Sequence, residues 1–295
     1  MKTVPAKTIL QRNKSASWFG TDYNMNLYRG CCHGCIYCDS RSSCYGIESF
    51  DEVCAKENAL QILRDELRRK IRSGIVGTGA MGDPYNPFER EELLTRHALE
   101  LISAYGFGAA VQTKSALIVR DSDVFMEIAE HSPVLCNITV TCADDELCRK
   151  LEPRVSSASE RFDAVARLTG EGLFAGITMM PVLPFIEDSD ENITAIIRSA
   201  HECGARFIYP SFGVTLRDDQ REYYYRKLDE ITGDDEIKNQ YIRRYGDRYY
   251  CTSPRAEKLW KLFTAECDRY GILYNMKDII SAYKLGYEDS QLSFF

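Results

Sequence analysis

Short apolar, β-branched runs alternate with amphipathic stretches over most of this chain, and no other feature limits its fold as tightly. Strand-like runs fall at 24–29, 75–81, 109–114, 134–141, 174–181 and 206–211. Helical stretches lie between them at 55–71, 90–105, 122–131, 157–169 and 190–203. In the second of these, Leu93, Leu94, Ala98, Leu101 and Ile102 recur at helical spacing. Strands joined by long helical crossovers pair in parallel, with right-handed connections.

Six such units fall two short of a closed eight-stranded barrel. Beyond Phe212 the sequence reads as helical and tyrosine-rich, without convincing strands. The expected fold class is therefore α/β: a partial (β/α)6 barrel of the TIM type with a helical C-terminal region. The expected division is an N-terminal extension over 1–22, a barrel core over 23–214 and a helical region over 215–295. The second boundary falls where the turn residues of 213–219 precede a strongly charged helix.

With 295 residues and 44% apolar content, the chain can bury a large core. No apolar run approaches the ~20 residues needed to span a bilayer, and the N-terminus carries no apolar signal core. A soluble, cytoplasmic protein without membrane contact is expected. The net charge of −7 argues against coating nucleic acid through bulk charge. Twelve cysteines are many for a reducing compartment, so the clustered ones read as metal ligands rather than disulfide partners. The scattered Cys136, Cys142, Cys148, Cys203 and Cys267 read as small buried hydrophobes.

The chemistry concentrates in Tyr28-Arg-Gly-Cys31-Cys-His-Gly-Cys35-Ile-Tyr-Cys38. Thiolates spaced by three and then two residues can wrap one loop around a cluster and ligate three irons. The spacing calls for no fourth cysteine, so one iron of a [4Fe–4S] cluster stays open to a ligand. A structural zinc site would normally bring a second paired Cys/His motif downstream, and none appears. Cys32 lies off the ligand spacing and reads as a bystander.

This motif, with Tyr37 as the aromatic residue before the last cysteine, resembles the radical S-adenosylmethionine (SAM) superfamily. Asn26-Leu-Tyr-Arg-Gly30, Gly82-Asp-Pro-Tyr-Asn-Pro87, Gln112-Thr-Lys-Ser115 and Leu151-Glu-Pro-Arg154 narrow the resemblance to the spore photoproduct lyase-like group, often labelled "DNA repair photolyase". The resemblance implies a [4Fe–4S] cluster on Cys31, Cys35 and Cys38, with SAM chelated at the open iron. It also implies reductive cleavage to a 5′-deoxyadenosyl radical and an electron donor such as flavodoxin or ferredoxin. Ala80 stands where those lyases carry a hydrogen-donating cysteine, so thymine-dimer lysis through that relay is not expected.

The remaining site candidates have both a functional and a plain structural reading. Gly82 and Asp83 end the second strand at the face where barrel sites are built; the resemblance puts them against the SAM amino group, whereas the bland reading is a turn. Lys114 ends the third strand, near the SAM carboxylate by resemblance or as a solvated terminus. Thr139 and Thr141 share the inward face of the fourth strand, where hydroxyls suit a ribose, although threonine simply favours strands. Arg154 can grip a carboxylate bidentately or pair with a surface acid. Met180 is expected to face the ligand, with Met179 in the core.

Near the C-terminus, 238–261 holds seven Lys/Arg against Asp247 and Glu257, a net +5, interleaved with tyrosines. Such a segment can stack on bases and meet phosphates, which makes nucleic-acid repair or binding the alternative function; a solvated face paired with the preceding acidic helix is the competing reading. Cys251, beside two tyrosines, is a weak candidate for relaying a hydrogen atom and otherwise a buried structural residue. Residues 291–295 are expected to form a packed or frayed tail.

Overall fold

Six strands run parallel in chain order: Tyr23–Met25, Ile75–Thr78, Gly108–Thr113, Val134–Thr139, Ala175–Met179 and Ile208–Pro210. A computed structural model supplies the coordinates and describes residues 1–70, 72–79 and 81–287. Leu10–Arg12 adds antiparallel to the first barrel strand. It therefore lies at the opposite end of the strand order from Ile208–Pro210, and the barrel is open along one side.

Alternation along the strands sorts their side chains into two cores. Outward residues Val76, Val111, Cys136, Ile138 and Ile177 pack under the helices against Leu63, Leu99, Val124, Val165 and Ile196. Inward residues Ile75, Ala110, Leu135 and Phe207 form a separate floor with Phe19, Ile279 and Tyr283. Above that floor the inward positions turn polar: Gln112, Asn137, Thr139 and Lys114. The floor seals the N-terminal end of the barrel and leaves polar chemistry at the C-terminal end.

Helix starts follow capping chemistry. The Ser157 hydroxyl accepts from the Glu160 amide and the Glu160 carboxylate accepts from the Ser157 amide, a reciprocal cap for Ala158–Gly170. The helix expected over 90–105 breaks at Leu93, which takes a left-handed φ of 51°. Buried Glu89 accepts from the Thr95 amide at 2.7 Å, so a carboxylate caps the resumed helix Leu94–Ala104.

Three sequence expectations are corrected. The run at 24–29 is two strands, because Tyr28–Arg29 leaves the barrel and pairs with Cys54–Lys56, itself parallel to Lys2–Val4. Drawing 54–56 into that small sheet delays the first helix to Ala59–Arg68. The C-terminal region is not helical throughout: Gly213–Thr215 and Tyr250–Thr252 pair antiparallel, with Val214 opposite Cys251 and both buried. Leu10–Arg12 pairs with Tyr23–Met25, and Gly213–Thr215 follows the last barrel strand before its partner Tyr250–Thr252. Helix Ala256–Tyr270 buries Leu259, Phe263 and Cys267 in the main core. Leu273 covers the last barrel edge, accepting from the Ile208 amide at 2.8 Å. Among the described residues no helix is long and apolar enough to cross a membrane.

Candidate cofactor site

The cysteine loop leaves the small sheet at Gly30, where the backbone has no room for a side chain. Gly30 has φ +80°, and a Cβ there would lie 2.5 Å from the Glu52 carbonyl. The Cys31 amide then donates to the Phe50 carbonyl at 2.8 Å, and the Ile36 amide to the Leu151 carbonyl at 3.0 Å. The loop is thereby stitched to two neighbours across the mouth of the barrel. Gly82 approaches from the second strand, and a Cβ on it would sit 2.9 Å from the Gly30 carbonyl.

Cys31, Cys35 and Cys38 are free thiols lining one cavity of about 100 Å³, with Asp83, Lys114 and Thr139 among its other walls. Burial pushes the Cys35 and Cys38 thiols above their ordinary range, so metal binding there must displace protons. Among the described residues no three His, Cys, Asp or Glu side chains converge on a single ion position. A cluster that gives each thiolate a different iron does not require them to. Cys32 packs instead against the main core.

Asp83 ties two strand ends together. Its Oδ1 accepts from the Thr113 hydroxyl at 2.5 Å and the Tyr85 amide at 2.8 Å. Its Oδ2 accepts from the Lys114 amide at 2.7 Å and lies 3.5 Å from His33 Nδ1. Burial works against a charge on Lys114, but Cys35, Glu152 and Asp83 outweigh it and hold the ammonium above its ordinary value.

Tyr37, between two of the cysteines, donates its hydroxyl to buried Glu152. Glu152 pairs in turn with Arg161 at 2.5 Å, and Arg161 donates to the Thr139 carbonyl at 2.8 Å. Burial would raise the Glu152 pKa, but Arg161, Lys114 and Tyr37 together hold it below the ordinary carboxylate value. Arg154, read from the sequence as a grip for the SAM carboxylate, stands apart from this network. Arg154 is exposed and lines a different groove with Pro153 and Tyr223. The cause is local: the chain turns outward at Pro153, and helix Ala158–Gly170 points Arg161 into the core.

Thr139 Oγ1 is buried and has no partner in the protein. Thr141 does not line the cavity; its hydroxyl donates to buried Glu187 at 2.8 Å. Met179 is buried in the core, as expected, and Met180 is half-buried outside the cavity lining. Burial raises the Glu187 pKa to about 8, partly countered by the Leu183 amide and Thr141. A carboxyl raised in the folded state stabilises fully below its unfolded pKa of about 4.5, and that stability is lost as pH rises toward 8. Urea unfolding from pH 5 to 8 should therefore show a decline that Glu187→Gln removes; parallel pH profiles for the two proteins would exclude this linkage.

Cys251 does not line the cysteine cavity. It is fully buried among Tyr224, Tyr241 and Tyr245, and its thiol donates to the Arg248 carbonyl. Its strand pairing with Val214 turns the sulfur into that apolar cluster, the buried setting that the sequence offered as the alternative to a hydrogen relay. In the basic segment Lys238 pairs with Asp229, Arg255 and Lys258 with Asp190, and Lys261 with Glu257. Ala80 and the tail over 291–295 lie outside the described residues.

Arg161 and Glu187 escaped the sequence reading. For Arg161 a signal existed, since it shares helical spacing with Ala158, Ala164, Val165 and Leu168, all buried.

A partial parallel barrel carrying a three-cysteine loop at the C-terminal end of its strands defines a class of cofactor-dependent proteins. The Radical SAM superfamily profile matches residues 25–198, and the chain belongs to that superfamily, whose members use a [4Fe–4S] cluster and SAM. An uncharacterized protein of Mycobacterium tuberculosis H37Rv is 29% identical over 228 residues, 75% of this chain and 67% of the relative. One from Methanocaldococcus jannaschii is 30% identical over 172 residues, 57% and 63% of the two chains. Spore photoproduct lyase complexed with dinucleoside spore photoproduct superposes with a TM-score of 0.64 at 14% identity, covering 91% of this chain and 78% of that one. A radical SAM methyltransferase from Kitasatospora setae with cobalamin and [4Fe–4S] cluster bound gives 0.54 at 12% identity, covering 84% and 50%. At these identities the likeness is one of fold.

Proposed function

We propose that this chain is an enzyme that holds one [4Fe–4S] cluster on Cys31, Cys35 and Cys38 and reductively cleaves SAM. The observation that carries this reading is the cavity itself: three free thiols, a half-buried lysine and an unpartnered threonine hydroxyl share its walls. Once bound, the pair supplies one-electron cleavage of a carbon–sulfur bond, releasing a 5′-deoxyadenosyl radical.

The protein's own residues bind and orient. Cys31, Cys35 and Cys38 would hold the cluster through their thiolates, with no fourth protein ligand called for by the spacing. Lys114 offers an ammonium to the SAM carboxylate. Gly82 leaves room for the amino group, and Asp83 Oδ2 keeps acceptor capacity toward it. The Thr139 hydroxyl offers a hydrogen bond to the ribose. Tyr37, held by Glu152, fixes the loop between Cys35 and Cys38, and an electron comes from a donor such as flavodoxin or ferredoxin.

Anaerobically reconstituted protein mixed with SAM and dithionite should yield 5′-deoxyadenosine. If no product rises above a dithionite-free control while the cluster is intact by absorbance, the proposal fails.

A further inference from the structure

We infer that a second cavity, inside the barrel beneath the cofactor site, binds an uncharged, carboxamide-like part of the substrate, a carbonyl flanked by an N–H. The inference rests on the cofactor reading above for the word substrate, and on the cavity alone for the ligand chemistry.

The cavity measures about 290 Å³ and lies within the barrel, walled by the first four strands and by the N-terminal segment that includes Asn13 and Trp18. Gln112 lines both this cavity and the cysteine cavity, so the two meet at one side chain. A ligand seated below Gln112 therefore lies next to the cofactor site without occupying it.

The walls are amide-rich and neutral. Asn24, Gln112 and Asn137 face inward on the first, third and fourth strands. Among the described residues no carboxylate lines the cavity, and its one cation, Lys14, is exposed. An anion would meet no buried counter-charge, and a cation no acid, so either would be desolvated without compensation.

Asn137 fixes the polarity at the inner end. Its Oδ1 accepts from the Thr178 hydroxyl at 2.7 Å, whereas its Nδ2 is buried and has no partner. Asn137 is only 1% exposed. A buried amide donor left unpaired is costly, and a ligand carbonyl would satisfy it. Asn13 presents the opposite polarity, because its Nδ2 donates to the Thr21 carbonyl and hydroxyl and leaves Oδ1 as an acceptor. Gln112 offers both polarities on one amide, so a group with a carbonyl next to an N–H is complementary to these walls. Trp18 and Phe19 add aromatic faces that favour a flat ligand.

The test is anaerobic calorimetry on reconstituted full-length protein with four probes of one shape: benzamide, acetophenone, benzoate and ethylbenzene. Benzamide should bind at least about tenfold more tightly than benzoate or ethylbenzene, with acetophenone between them. Asn137→Leu should weaken benzamide by a similar factor, and Gln112→Leu serves as the second variant if the first melts early. Equal binding of all four probes, no binding of benzamide, or full affinity in a folded variant overturns the inference. The 5′-deoxyadenosine assay is scored separately. Product without benzamide preference sinks the ligand assignment alone, and benzamide preference without product sinks the cofactor reading alone.

Discussion

Cys35→Ala should reduce the iron and sulfide retained after anaerobic reconstitution to near background, and 5′-deoxyadenosine formation should fall with it. Cys35 is the most enclosed of the three thiols, and it packs in the same apolar cluster as Ile36, Tyr37 and Leu151. No neighbouring cysteine can take its place, since Cys32 is held against the main core. Losing an outer-shell partner of a metal site costs about 10–100-fold, and losing a ligand costs more, so a drop beyond about a hundredfold is expected. Cys32→Ala should keep both iron and product. If the Cys35 variant retained a full cluster, or the Cys32 variant lost it, the ligand assignment would be wrong.

Arg161→Leu should be the most destabilising single change near the site, at about 3–5 kcal/mol in chemical denaturation. The Arg161 and Glu152 side chains are 1% and 2% exposed, so removing the guanidinium strands a carboxylate where water cannot reach it. Its donor to the Thr139 carbonyl also disappears, which loosens the strand end that presents the Thr139 hydroxyl. The double variant Arg161→Leu/Glu152→Leu should recover part of the loss, because the stranded carboxylate is gone, while the Tyr37 hydroxyl loses its acceptor. A single-variant loss below about 1 kcal/mol, or a double variant no better than the single, would show that the pair is not coupled as described.

The elements read most easily from sequence were those set by local pattern. The strand runs at 75–81, 109–114, 134–141, 174–181 and 206–211 overlap real strands, and the cysteine spacing marked the loop that the barrel presents. What escaped is non-local. Asp83 could be placed at a strand end, but its bonds to Thr113 and Lys114 exist only once the second and third strands are paired. Gly213–Thr215 and Tyr250–Thr252 are short and separated by two helices, so neither run looks like a strand by itself. Arg154 could be read as a carboxylate-binding arginine from its motif, but its exposure on a different groove is set by the turn at Pro153 and is not visible in the sequence. The helical stripe of Ala158–Gly170, by contrast, does mark Arg161 as buried.

The carboxylate clamp at Asp83 bears on how variants of this site are to be interpreted. One side chain fastens the loop after the second strand to the tip of the third, so position 83 cannot be altered without also shifting the anchor of Lys114. Weaker SAM binding in an Asp83 variant would confound lost recognition with a displaced ammonium. Lys114→Met, which leaves the clamp intact because only the backbone amide of residue 114 is engaged, separates the two contributions.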